Sequence, residues 1–239
     1  MAREANSLVL LDDDFATIVQ TIKLGRRIYD NLGKAIQYIV AVHIPIAGLA
    51  LLPLLFGLPL ILMPIQIALL EMVIDPACSI VFESEREEPD VLRRPPRSPN
   101  ASALTKGAAL WAVTQGCAAL LIVAAALFFG ASSGMPENDP RAFVFVTLVL
   151  MNLGLIVVNR SFQSSLAEAF GRPNKAFWVL IATVIGALSL ALYWKPAQAL
   201  FDFGSLQVGA VFVCFAVGAA LVALLELGKR RLRRALEFN

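Results

Sequence analysis

Apolar and polar positions along this chain are grouped in long blocks. Six apolar runs, at about 35–56, 60–82, 108–129, 143–158, 176–193 and 206–227, are separated by shorter polar or charged segments. At about 1.5 Å of rise per residue, helices of these lengths cover most or all of a hydrocarbon core roughly 30 Å thick. Lipid offers no partner for backbone N–H and C=O groups, and a helix satisfies them within the run itself. The pattern predicts an all-α membrane protein, a six-transmembrane-helix bundle.

The connections refine this picture. Gly57-Leu58-Pro59 joins the first two runs tightly enough to predict a helical hairpin. Residues 83–106 carry Glu85-Arg-Glu-Glu-Pro-Asp90 and Arg93-Arg-Pro-Pro-Arg97, a charged, proline-rich stretch expected to be an extended loop. Segments 132–141 and 160–175 are polar, and 194–205 is expected to be a short interfacial loop with aromatic edges. Ahead of the first run, residues 7–11 are strand-like, and Asp12-Asp-Asp-Phe15 predicts a turn and a helix start with Asp14 as N-cap. Phe15, Ile18, Val19, Ile22 and Ile28 then recur at helical spacing. Residues 1–34 are therefore expected to be a cytoplasmic piece and 35–239 the membrane domain.

Composition strengthens the membrane reading. The chain is 58% hydrophobic and 16% charged, with a mean hydropathy of +0.73, which excludes one soluble domain of 239 residues. The polar start, followed by Asp12, Asp13 and Asp14, predicts no cleavable signal peptide, so insertion is expected to rely on the internal runs. The net charge of +2 carries little information, but the placement of the cations carries much. If both termini and the loops after the second and fourth runs share one side, eighteen of the 20 lysines and arginines lie there, leaving Arg141 and Lys195 on the other. The positive-inside tendency then predicts a multi-pass protein of the plasma or inner membrane with both termini cytoplasmic. Cys78, Cys117 and Cys214 lack the paired spacing of a zinc site and are expected to be small buried hydrophobes. No nucleic-acid partner is expected.

The candidate chemistry lies in the second run. Glu71, eleven residues past Leu60, is about 16 Å into its span. At that depth an acidic side chain costs about 2.5–3.5 kcal/mol on insertion scales, so one kept there is expected to face a polar cavity and handle ions or protons. Asp75, four residues on, projects from the same helix face and can converge with Glu71 on one cation. Pro45 and Pro76 each remove a backbone donor, freeing the carbonyls of Ala41 and Met72 as hard oxygen ligands; a packing kink is the alternative. His43, the only histidine, falls at a similar depth and can be a ligand, a proton carrier or a hydrogen-bond partner of Glu71. Asn152 and Asn159 share one face of the fourth run, and with Gln66, Thr114 and Gln115 they are either cation ligands or hydrogen-bonding groups between helices. The candidate metal ligands are thus Glu71, Asp75, Met72, Ala41, His43, Asn152 and Asn159. Their oxygen-rich set suits calcium, manganese or magnesium better than soft metals. No catalytic or cofactor-binding residue is expected.

The run Ser7-Leu-Val-Leu-Leu-Asp-Asp-Asp-Phe-Ala-Thr-Ile-Val19, followed by Gly25-Arg-Arg-Ile-Tyr-Asp-Asn31, resembles the end of the phosphorylation domain of P-type cation-transporting ATPases. Ile36-Gln-Tyr-Ile-Val-Ala-Val-His-Ile-Pro45 is similar to the span after that family's stalk, and Leu70-Glu-Met-Val-Ile-Asp-Pro76 to its transport motif. The likeness covers essentially the whole chain and points to the calcium-pump-like subgroup. It implies that residues 1–34 are a short cytoplasmic remnant of an α/β phosphorylation domain with its stalk, and that the last six spans follow. It also implies that Asp75 is the transport-site aspartate and that Glu71 stands where an asparagine ligand is common. Ile46 replaces an acidic ligand, Ile74 a hydroxyl ligand, His43 an asparagine and Asn159 an acidic residue, which implies at most one site for calcium or manganese. The Asp-Lys-Thr-Gly phosphorylation motif and the nucleotide-binding and actuator domains are not in the sequence. The ATP and Mg2+ that the intact family uses would act elsewhere, and the chain is expected to be the C-terminal portion of a pump. Its implied partners are the transported cation, the lipid bilayer and the missing catalytic portion; a stand-alone passive cation pathway or regulatory partner is the alternative.

Overall fold

The computed structural model describes residues 14–96, 102–132, 138–160, 171 and 173–236, and the strand-like expectation at 7–11 lies outside them. The described residues form helices α1 (Phe15–Phe56), α2 (Pro64–Pro76), α3 (Lys106–Ser132), α4 (Asn138–Asn159), α5 (Lys175–Tyr193), α6 (Lys195–Phe201) and α7 (Val208–Leu236), with a π-helical turn, Ala77–Phe82, continuing α2. Among them six helical segments are long and apolar enough to cross a membrane: Phe15–Phe56, Pro64–Phe82, Lys106–Ser132, Asp139–Asn159, Lys175–Tyr193 and Val208–Lys229. No strand occurs among the described residues.

Local chemistry sets the ends. The Asp14 carboxylate accepts from the Ala16 N–H at 2.9 Å and starts α1, which then runs 42 residues through Pro45 and Pro53 without a break. The polar stalk and the first span are therefore one rod. α1 stops at Gly57, whose φ of 65° suits a residue without a side chain and lets its N–H reach the Pro53 carbonyl. Pro64 opens α2, and the Gln66 amide oxygen accepts from the Met63 N–H at 2.7 Å. At the other end Pro76 has no N–H to extend the ladder, and the backbone widens into the π turn over the next six residues.

α4 is the centre of the bundle. Of its span 78% is buried, against 22–41% for the other five. Leu148, Met151, Leu155 and Ile156 are wholly enclosed, with α7 on one side and α3 and α1 on others. Lipid tails are as apolar as leucine, so helices in a bilayer are held by close packing and polar contacts, with no water to expel. Two glycines make that closeness possible. A Cβ at Gly154 would sit 2.6 Å from a Val222 methyl on α7, and one at Gly116 would sit 2.7 Å from the Ala41 carbonyl oxygen on α1. Lys229 of α7 adds a polar tie, donating to the Val158 carbonyl at the end of α4 at 3.0 Å. The large apolar side chains on the rim, such as Leu121, Phe212 and Leu54, remain exposed, as a lipid-facing surface requires.

Two sequence expectations need correction. Within 194–205, expected to be a loop, Lys195–Phe201 is helical, with Pro196 in its first turn, where a missing N–H costs nothing. Cys117 is exposed, because it follows Gly116 by one residue and so turns about 100° away from the seam with α1. Cys214 is buried, with the Thr147 hydroxyl 3.3 Å from its sulfur. The Cys78 side chain lies outside what is described.

Candidate cation site

The buried residues of α2, Gln66, Leu69, Leu70, Val73 and Ile74, form a single stripe. At about 100° per residue, Glu71 and Asp75 fall on the other side of the helix, about 40° from each other. Glu71 is half-buried, Asp75 is exposed, and Met72 between them is 69% exposed. The two carboxylates therefore share a face that looks away from the six-helix core. Within this chain that face is open where an enclosed polar cavity is expected. Among the described residues no group of three histidines, cysteines or acidic side chains comes together to hold a metal.

The other candidates divide between outside and inside. His43 is exposed on α1, its Nδ1 2.8 Å from the carbonyl of Ile39 one turn back. A tilted ring contact of Tyr38 with Phe82, with centroids 5.4 Å apart, sets the register of α1 against the end of the second span and puts Asp75 near the depth of Pro45 and His43. Ala41 lies on the opposite side of α1, buried, with its carbonyl against Gly116 of α3. Asn159 and Gln115 form a reciprocal amide pair between α4 and α3: Asn159 Nδ2 donates to Gln115 Oε1 at 2.7 Å, and Gln115 Nε2 donates to Asn159 Oδ1 at 3.3 Å. Hydrogen bonding between helices is thus the role the structure gives these two. Asn152, two turns along the same face of α4, is fully buried, and its amide has no hydrogen-bond partner among the described residues. The structure brings Glu71, Met72 and Asp75 onto one open face, exposes His43 at similar depth, and leaves Ala41, Asn152 and Asn159 inside the bundle.

Gln66 hydrogen-bonds between helices, one of the two roles its sequence position offers, but sequence reasoning misses the other groups that hold α2 in place. At the end away from the basic clusters, Gln66 Nε2 donates to the Phe201 carbonyl at 2.7 Å. Arg141 there pairs with Asp202 and donates to the Leu60 carbonyl at 3.2 Å. At the basic end, residues 83–94 are strapped along α1. Lys34 and Glu88 pair at 2.8 Å with 0% and 1% of their side chains exposed, and Asn31 Nδ2 donates to the Glu85 carbonyl at 2.8 Å. Arg94 meets both Asp30 oxygens, at 3.1 and 2.8 Å, while Arg26 donates to the carbonyls of Val91 and Arg94 at 2.7 Å each. Burial works against the Arg94 charge, but Asp30 and Asp90 outweigh it and raise its pKa. Lys23, 2.6 Å from Glu87, lowers that carboxyl below its ordinary value of 4.5. The available signal was the opposition of a basic stalk, Lys23, Arg26, Arg27 and Lys34, to an acidic run from Glu83 to Asp90.

Comparison with known proteins gives this arrangement a setting. Residues 59–231 match the family described as cation transporting ATPase, C-terminus. The chain is 35% identical over 215 residues to the calcium-transporting ATPase of Bacillus subtilis, covering 87% of this chain and 24% of that protein. It is 26% identical over 234 residues to human calcium-transporting ATPase type 2C member 1, covering 96% of this chain and 25% of that protein. It is 27% identical over 227 residues to the probable cation-transporting ATPase F of Mycobacterium tuberculosis H37Rv, covering 92% of this chain and 24% of that protein. The chain spans about a quarter of the length of these relatives. With six membrane-spanning helices and a match over most of its length, this chain belongs to the P-type cation-transporting ATPases and corresponds to their C-terminal membrane region.

Proposed function

We propose that this chain is the C-terminal membrane part of an ATP-driven cation pump, and that Glu71 and Asp75 supply the carboxylates of a divalent-cation site. The observation that carries this reading is the open face of α2. Two acidic side chains near mid-span point away from the bundle, where contact with lipid would cost each about 2.5–3.5 kcal/mol. Further protein against that face removes the cost, and relatives about four times longer have the chain to provide it. Carboxylate oxygens with the freed Met72 carbonyl suit a hard ion, calcium or manganese, and His43 stands at the rim of the same level. Asn152 is a buried amide on α4, while Ala41 and Asn159 serve the packing of α1, α3 and α4.

In this reading residues 1–34 are the cytoplasmic remnant and stalk, 35–239 form the membrane domain, and the basic end faces the cytoplasm. ATP and Mg2+ act on the catalytic portion found in full-length members. The α2 face would then be offered to one side of the membrane and afterwards to the other. The full chain in lipid nanodiscs, titrated with Mn2+ and followed by electron paramagnetic resonance, is expected to bind weakly, on the order of millimolar. Asp75→Asn or Glu71→Gln should weaken that binding about tenfold. A double variant that binds Mn2+ as the unaltered chain does rejects the assignment.

A further inference from the structure

The basic end of α2 is held by buried polar side chains for which the transport reading has no role. Glu85 follows the π turn by three residues and is 1% exposed. Its Oε1 accepts from Arg160 Nε at the end of α4 and from Asn174 Nδ2 at 2.7 Å. The same Asn174 amide donates to the Val81 carbonyl inside the π turn at 3.0 Å, while its Oδ1 accepts from the Phe177 N–H at 3.1 Å and caps α5. The Ser84 hydroxyl reaches that oxygen too, at 3.3 Å. The Arg160 guanidinium lies 4.2 Å over the Phe177 ring, and its side chain is wholly buried. Arg160 and Asn174, 75 and 93 residues along the chain from Glu85 and Val81, thus converge on the last turn of the π segment.

That turn is where outside help is needed. Pro76 contributes no N–H, so the ladder that would fix the direction of Asp75 is interrupted one residue after it. Ser79 passes the register on, its hydroxyl donating to the Asp75 carbonyl at 2.7 Å. We propose that Arg160 and Asn174 are positioning residues for Asp75: through Glu85 and the Val81 carbonyl they fix the register of the π turn, and with it the direction in which the carboxylate is presented to the cation. The proposal rests on the reading of Asp75 as a cation ligand. Breaking the knot leaves a buried charge without its partner, so its loss should be felt along the whole turn.

The test uses the full chain in nanodiscs and reads two quantities, amide hydrogen exchange and Mn2+ affinity. Arg160→Ala and Asn174→Ala should each speed exchange over 77–84 while leaving 106–132 protected, and should weaken Mn2+ binding about tenfold, as loss of outer-shell partners does at metal sites. Arg160→Lys, which keeps the charge, should fall between. Exchange over 77–84 that is unchanged in either folded variant, or that rises equally in every helix, overturns the proposal. Arg160→Ala is the variant more prone to misfold, and Asn174→Ala then decides alone. Asp75→Asn serves as control: if it leaves Mn2+ binding unchanged, the cation site itself is rejected, and the exchange data still judge whether the knot sets the turn.

Discussion

Lys34 and Glu88 show how much a single buried pair governs here. Neither side chain is more than 1% exposed, so removing one takes an opposite charge at 2.8 Å away from a buried group. Lys34→Met is expected to destabilise the chain by about 3–5 kcal/mol, and adding Glu88→Leu should recover most of the loss. Thermal unfolding in detergent, followed by tryptophan fluorescence, measures both; equal midpoints for the single variant and the unaltered chain would count against the clamp. At this scale the candidate carboxylates are legible in the sequence, because a charge inside an apolar run stands out by its cost. The clamp is not. Glu85, Glu88, Arg160 and Asn174 lie in polar stretches where solvation is the default, and Arg160 and Glu85 are 75 residues apart. Nothing local marks one acidic residue of the run from Glu83 to Asp90 as buried and its neighbour as exposed.

Among the elements, the six crossings are legible because the length of an apolar run and the thickness of a bilayer are the same measurement. Their ends agree with the helices to within a few residues, except that α1 starts at Phe15, well ahead of the apolar run, and α7 continues to Leu236. Which helix occupies the centre is hidden, since lipid-facing and protein-facing surfaces are equally apolar. The central place of α4 emerges only from packing. Seams between helices depend on small residues, and Gly116 supports a sharp expectation. Gly116→Val would press on Ile44 and the Ala41 carbonyl, spread α1 from α3 and cost about 1–3 kcal/mol. A Cβ at Gly186 would meet no other part of the bundle within 4 Å, and Gly186→Val should leave the thermal midpoint nearly unchanged. Equal effects at the two sites would show that the α1–α3 seam is looser than drawn.

For the whole molecule, the distribution of basic residues predicts an orientation that the fold makes testable. Ser102 and Ser205 are exposed at opposite ends of the bundle. Ser102→Cys is expected to react with a membrane-impermeant maleimide only from the cytoplasm, and Ser205→Cys only from outside; the reverse pattern would overturn the orientation. The anchoring of α2 carries a last consequence. Gln66 is tied to Phe201 beyond one tip, and Asn174 grips Val81 at the other. Sliding like a piston or rolling like a spindle would break the ties at both ends, whereas bowing or a change of winding between them would keep both. On the proposal that Asp75 is a cation ligand, movement of an ion past it is expected to be a local rewinding around Pro76 and the hoop of backbone beyond it.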